Sequence, residues 1–153
     1  MADEPKFDIN SAHKYFSALC FNRAWELIGK QSRSDKENEH MIQLCHASVY
    51  HWSQRDDCTD KNLSIGYWQL SRVYALLGMA ENARRYGQLS LDCTPEEDSF
   101  LRGYAFEALA RAEMVAENNA KKKEFLSKAH KYADAVEDED EKQYLIGDLK
   151  TIK

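Results

Sequence analysis

Turn-forming residues are scarce in this chain of 153 residues, which has two prolines and six glycines. A sandwich or barrel of many short strands needs such residues at nearly every reversal, so their scarcity argues against those folds. No apolar run approaches the ~20 residues that a helix needs to cross a bilayer, which leaves no role for a membrane. The opening stretch, MADEPKFDIN, has neither the basic nor the apolar region of a secretory signal, and a cytoplasmic setting is expected. Basic residues are also too few for a nucleic-acid surface: 21 Lys and Arg stand against 26 Asp and Glu, for a net charge of −5. The four cysteines, Cys20, Cys45, Cys58 and Cys93, include no C-x-x-C pair and read as free, partly buried thiols. H-E-x-x-H, a glycine-rich phosphate loop and G-x-S-x-G are all missing, so no motif calls for a metal, a cofactor or a nucleophile.

What the chain does have is helical periodicity throughout. Seven segments are predicted, at 10–29, 35–54, 60–77, 80–93, 95–117, 120–136 and 139–149. Ser34-Asp35-Lys36-Glu37 reads as a capping box, with Ser34 and Glu37 satisfying each other's backbone N–H groups. Thr94-Pro95-Glu96-Glu97 predicts a second start, with Thr94 as cap and Pro95 at the first helical position. The acids of 138–141 suit a third. Met41, Leu44, Cys45, Ser48 and Trp52 share one helix face, and Leu101, Ala105, Ala108, Ala112 and Ala116 form a stripe of mostly small residues that admits a close neighbour. The short connections predict antiparallel helical pairs.

One stretch repeats a known pattern. Residues 67–95 read YWQLSRVYALLGMAENARRYGQLSLDCTP, with Tyr67, Leu70, Ser71 and Tyr74 in the first helix, Leu77-Gly78 at the turn, Ala83 in the second helix and Pro95 at the end. This resembles a tetratricopeptide repeat. Gly87 and Ser90 depart from its later positions, and Tyr86 is placed to supply the missing ring. The hairpin after it is a weaker copy: Phe125, Leu126 and Ala129 fit, while Lys122 stands where alanine is preferred. FNRAWELI (21–28), HASVYHW (46–52), LSRVYALLG (70–78), YAFEALARAEMVA (104–116) and DLKTI (148–152) extend the likeness to a group of uncharacterised bacterial tetratricopeptide-like proteins.

HASVYHW is the stretch richest in chemistry. His46 and His51 are five positions apart, so on one helix they diverge by about 140° and cannot share an ion. His40 and His46 diverge by about 120°. Cys45 would need a histidine base with an orienting acid, and the one-turn neighbours of His46 (Ile42, Gln43, Val49, Tyr50) and of His51 (Ala47, Ser48, Gln54, Arg55) include no carboxylate. Packed or bordering histidines with a polar tip are expected, with a contribution to a ligand groove as the alternative.

The resemblance implies that the first helix of each pair lines a concave surface. Ile65, Trp68, Arg72 and Leu76 then face the groove, with Arg111 and Arg23 in similar places on the third and first pairs. A tryptophan among arginines suits a peptide carrying acidic groups. The bland alternative has Trp68 in the core and the arginines in solvent. Chaperone-tail binding is not expected, because Ile65 and Gln69 stand where lysine and asparagine would be needed.

The expectation is thus an all-α, single-domain right-handed stack over 1–153, with hairpins at 10–54, 60–93 and 95–136 and a capping helix at 139–149. Its function is to bind a protein or peptide without catalysis, and an exposed helix face offers a route to homo-oligomers. The competing class is a small-molecule sensor or enzyme with a pocket near Trp52, His46 and Trp68.

Overall fold

The structure, a computed structural model, describes residues 3, 4 and 6–153. Met1, Ala2 and Pro5, which belong to the stretch read above for a targeting signal, lie outside the described residues. The described residues form seven α-helices and no strand: α1 (Ile9–Ile28), α2 (Asp35–Ser53), α3 (Asp60–Leu76), α4 (Ala80–Asp92), α5 (Ser99–Val115), α6 (Asn119–Ala135) and α7 (Glu139–Leu149). None of these helices is long and apolar enough to cross a membrane.

Side-chain caps define most helix starts. Ser34 and Glu37 make the expected reciprocal pair, with Glu37 N donating to Ser34 Oγ at 3.2 Å and Ser34 N donating to Glu37 Oε2 at 2.9 Å. Thr59 and Asn62 form a second box at α3, and Asp138 caps α7 by accepting from Glu141 N at 2.9 Å. Between α3 and α4 the chain reverses through Gly78 at φ +74°, a conformation that only glycine adopts without strain, and Met79 N donates back to Tyr74 O at 2.9 Å.

The start of α5 corrects the sequence reading: the helix begins at Ser99, not at Pro95. Thr94 cannot cap it because its hydroxyl is turned inward. Thr94 Oγ1 donates to Ser90 O at 2.7 Å and lies 2.7 Å from Ser64 Oγ, in a buried cluster that ties α3 to α4. Residues 95–98 make one turn, closed by Asp98 N donating to Pro95 O at 3.2 Å, and Asp98 becomes the cap of α5.

Each helix packs on its neighbours in sequence, and in addition α3 packs on α5 and α5 on α7. One apolar cluster, including Met41, Leu44, Leu70 and Val73, fills the space among the first four helices and reaches Ala112 of α5. A second, including Phe106, Leu109, Leu145 and Leu149, joins α5, α6 and α7. Helix α5 is central, and every residue from Ala105 to Glu113 is buried. That stretch is apolar apart from Glu107, Arg111 and Glu113, which are buried in ion pairs, and the small residues at 103, 105, 108, 110 and 112 let neighbouring helices approach. The departures at α4 find their partners as well. Tyr86 stacks on Tyr74 at 5.5 Å between ring centroids, and Gly87 leaves room for Leu109 and Ser71.

Candidate interaction groove

The odd-numbered helices share an aromatic-rich surface. Phe21 and Trp25, one turn apart on α1, meet edge to face, and Trp25 lies 5.4 Å from Trp68 of α3. Trp68 meets the edge of Tyr104 of α5 at 5.1 Å, and Tyr104 meets Phe100 one turn earlier, also at 5.1 Å. Rings at these separations and angles attract beyond their buried area, so three helices carry a continuous run of half-buried rings.

Two apolar hollows open on this surface and meet at Ile65. One, of about 280 Å³, is lined by Ile65, Trp68, Phe100, Leu101, Tyr104 and Tyr144, with Ser64 and Ser90 at its floor. The other, of about 240 Å³, is lined by Phe21, Asn22, Trp52, Asn62, Ile65 and Gly66 together with Ala18. Ile65 stands between them, 37% exposed, and Tyr144 of α7 is 71% exposed at the outer wall. A third hollow, of about 500 Å³, adjoins the first at Phe100, and its polar lining includes Lys61, Glu97, Asp98, Glu137, Asp138 and Glu141.

Beneath the groove lies a charged network centred on Glu107, which is fully buried. Trp68 Nε1 donates to Glu107 Oε2 at 3.0 Å, Arg72 Nη2 donates to Glu107 Oε1 at 3.1 Å, and Arg111 Nε donates to the same oxygen at 2.7 Å. Arg111 also reaches Asp148 O at 3.2 Å and Thr151 Oγ1 at 2.7 Å, which ties α5 to the end of α7. Tyr104 donates to Asp148 Oδ2 at 2.9 Å, and burial together with that carboxylate holds its hydroxyl above the usual tyrosine range. Two guanidiniums thus face Glu107, with Asp148 3.7 Å from Arg72, and both cations are met within the chain.

The residues singled out in the sequence divide accordingly. Ile65 and Trp68 line the groove. Arg72 and Arg111 converge beneath it on Glu107. Leu76 is 43% exposed and lines neither apolar hollow. Arg23 is exposed beside the second hollow without lining it. Sequence reasoning passed over Phe21, Phe100, Tyr104, Tyr144 and Glu107. The signals for them were the aromatic pairs four residues apart at 21/25 and 100/104, and an acid at 107 one turn before Arg111 in a mostly apolar stretch.

The histidines of HASVYHW face opposite ways. His46 Nε2 lies 2.8 Å from Tyr74 Oη, with the Tyr86 ring edge-on at 5.5 Å. His51 Nδ1 lies 2.8 Å from His13 Nδ1 of α1. Burial lowers both pKa values, with Arg85 adding to the effect at His46 and His13 at His51. Trp52 and Trp68 line different hollows, and His46 lines neither of those two. Among the described residues no three His, Cys, Asp or Glu side chains gather as a metal site. Cys45 is buried, which pushes its thiol pKa up to about 12.

Comparisons with protein-family models, with curated proteins and with solved structures find no match.

Proposed function

We propose that the chain is a non-enzymatic interaction module of tetratricopeptide-like design. In this reading α1–α2, α3–α4 and α5–α6 are antiparallel hairpins in one right-handed stack, α7 closes the stack, and a protein or peptide segment binds along the odd-numbered helices. The observation that carries the reading is the pair of apolar hollows meeting at Ile65. Sites for drug-sized ligands run to roughly 300–1,000 Å³ and enclose most of the ligand. Hollows of about 280 and 240 Å³, open and adjacent, suit successive bulky side chains of a polypeptide better than one enclosed metabolite. Rigid aromatic anchors in such hollows supply most of the energy of a peptide interface.

Affinity capture from an extract of the source cell tests the proposal. A reproducible partner is expected whose retention is lost on Ile65→Glu and on Trp68→Ala, and kept on the exposed-surface control Lys123→Glu. Retention that is indifferent to Ile65→Glu would remove the groove from the interaction.

A further inference from the structure

We infer that the segment taken by the groove is basic beside its apolar anchors, an inference that rests on the groove reading above. The sign follows from where charge is free and where it is already met. The two cations nearest the groove floor, Arg72 and Arg111, are ion-paired to Glu107, with Asp148 beside Arg72 and Thr151 beside Arg111, and Arg72 Nε is buried without a hydrogen-bond partner. They offer no open positive charge to an acidic ligand, and reaching them would strip Glu107 of its partners. The hollow beyond Phe100 has the opposite character: five carboxylates, of Glu97, Asp98, Glu137, Asp138 and Glu141, and one lysine.

That lysine is committed, since Lys61 Nζ lies 2.8 Å from Asp98 Oδ2. Two of the carboxylates are committed as well, Asp98 to Leu101 N and Asp138 to Glu141 N. Glu97, Glu137 and Glu141 are exposed and make no ion pair among the described residues. Phe100 walls both this hollow and the larger apolar one. A segment with bulky apolar side chains on either side of Ile65 therefore brings its next residues over three carboxylates. Lysine or arginine there meets complementary charge. Glutamate or aspartate meets like charge, which steers an acidic partner away. The contribution is at the rim, exposed and screened by salt, so it sets preference and approach more than total affinity.

The test pans a displayed library of random peptides on the full chain, in parallel with Ile65→Glu and with the combined variant Glu97→Gln, Glu137→Gln, Glu141→Gln. Peptides that need Ile65 should carry bulky apolar residues with Lys or Arg enriched beside them. Synthesised singly, they should bind the triple variant roughly threefold to tenfold more weakly at low salt, with the gap closing as salt is raised. Enrichment of Asp or Glu, or equal affinity for the triple variant, overturns the basic assignment while leaving the groove in place. A library that yields no Ile65-dependent binder overturns both. If sedimentation shows a dimer that dissociates on Ile65→Glu, the groove is filled by a second copy of the chain and the assignment also fails.

Discussion

Trp68 and Glu107 are joined across α3 and α5: the indole N–H donates at 3.0 Å to a carboxylate that solvent does not reach. The groove's central ring is thereby fixed by a charge below it, and that charge in turn requires Arg72 and Arg111. Removing one partner from a buried ionic network leaves the others uncompensated, at about 3–5 kcal/mol. Glu107→Leu is therefore expected to lower stability by that order, and Glu107→Gln by less, since its amide oxygen can still accept from Trp68. Urea unfolding followed by tryptophan fluorescence measures both. A Glu107→Leu chain as stable as the parent would show that the network adds nothing.

The turn after α5 repeats the turn after α3 with a residue less suited to it. Asn118 N donates to Glu113 O at 3.0 Å, as Met79 N does to Tyr74 O, and Glu117 at φ +58° stands where Gly78 stands. A side chain costs roughly 1–2 kcal/mol in this left-handed conformation, partly offset by the greater freedom that glycine has in the unfolded chain. Glu117→Gly should raise the melting temperature by a few degrees, at a gain of about 1 kcal/mol. A drop in melting temperature would mean that the Glu117 side chain makes up for its backbone.

The same two turns show how far the sequence could be read. Leu77-Gly78 was legible because glycine announces a left-handed residue, whereas nothing in Ala116-Glu117-Asn118 does. Six helices were legible to within about one residue at each end from their apolar spacing, helped at α2 and α7 by the capping residues Ser34 and Asp138. The start of α5 was not: Thr94-Pro95 has every local property of a start, and only the tertiary pairing of Thr94 with Ser64 and Ser90 cancels it. At the groove, the resemblance implied a shared face for Ile65 and Trp68, and the structure puts both in the lining of an apolar hollow. The fate of Arg72 and Arg111 did not, because it depends on an acid from another helix, and the distance between α3 and α5 cannot be read from either helix alone.

Thiol chemistry gives an independent check on the core. Alkylation needs the thiolate, and Cys45 titrates near 12, with burial the main cause and the nearby Cys20 thiol adding to it. At pH 8 only about one molecule in 10,000 carries the thiolate there. Cys20, Cys58 and Cys93 are only partly buried, and burial raises their pKa values as well. Iodoacetamide with peptide mapping should show Cys45 as the last site labelled in the folded chain and equal to the others in urea. Early labelling of Cys45 would contradict the packing between α1 and α2.

The contact between His13 and His51 makes stability depend on pH near neutrality. Their Nδ1 atoms are 2.8 Å apart, so one ring donates and the other accepts, and the pair holds a single proton at that contact. A second proton at that contact would set two N–H groups head to head and leave a positive charge on one of the rings. Burial and His13 together hold His51 below its ordinary value of 6.5, and burial does the same at His46. For a base whose folded pKa is depressed, the unfolded chain takes up protons first as pH falls. Stability is therefore full above about 6.5, declines as pH drops below it, and levels off once the folded imidazoles are charged. Melting temperatures across roughly pH 5.5–7.5 should trace this decline. His51→Asn should flatten the curve even if it lowers its plateau, because the slope counts protons taken up on unfolding while the plateau reflects how well the folded chain packs around position 51. Parallel curves for parent and variant would mean that His51 titrates alike in both states and does not sense pH.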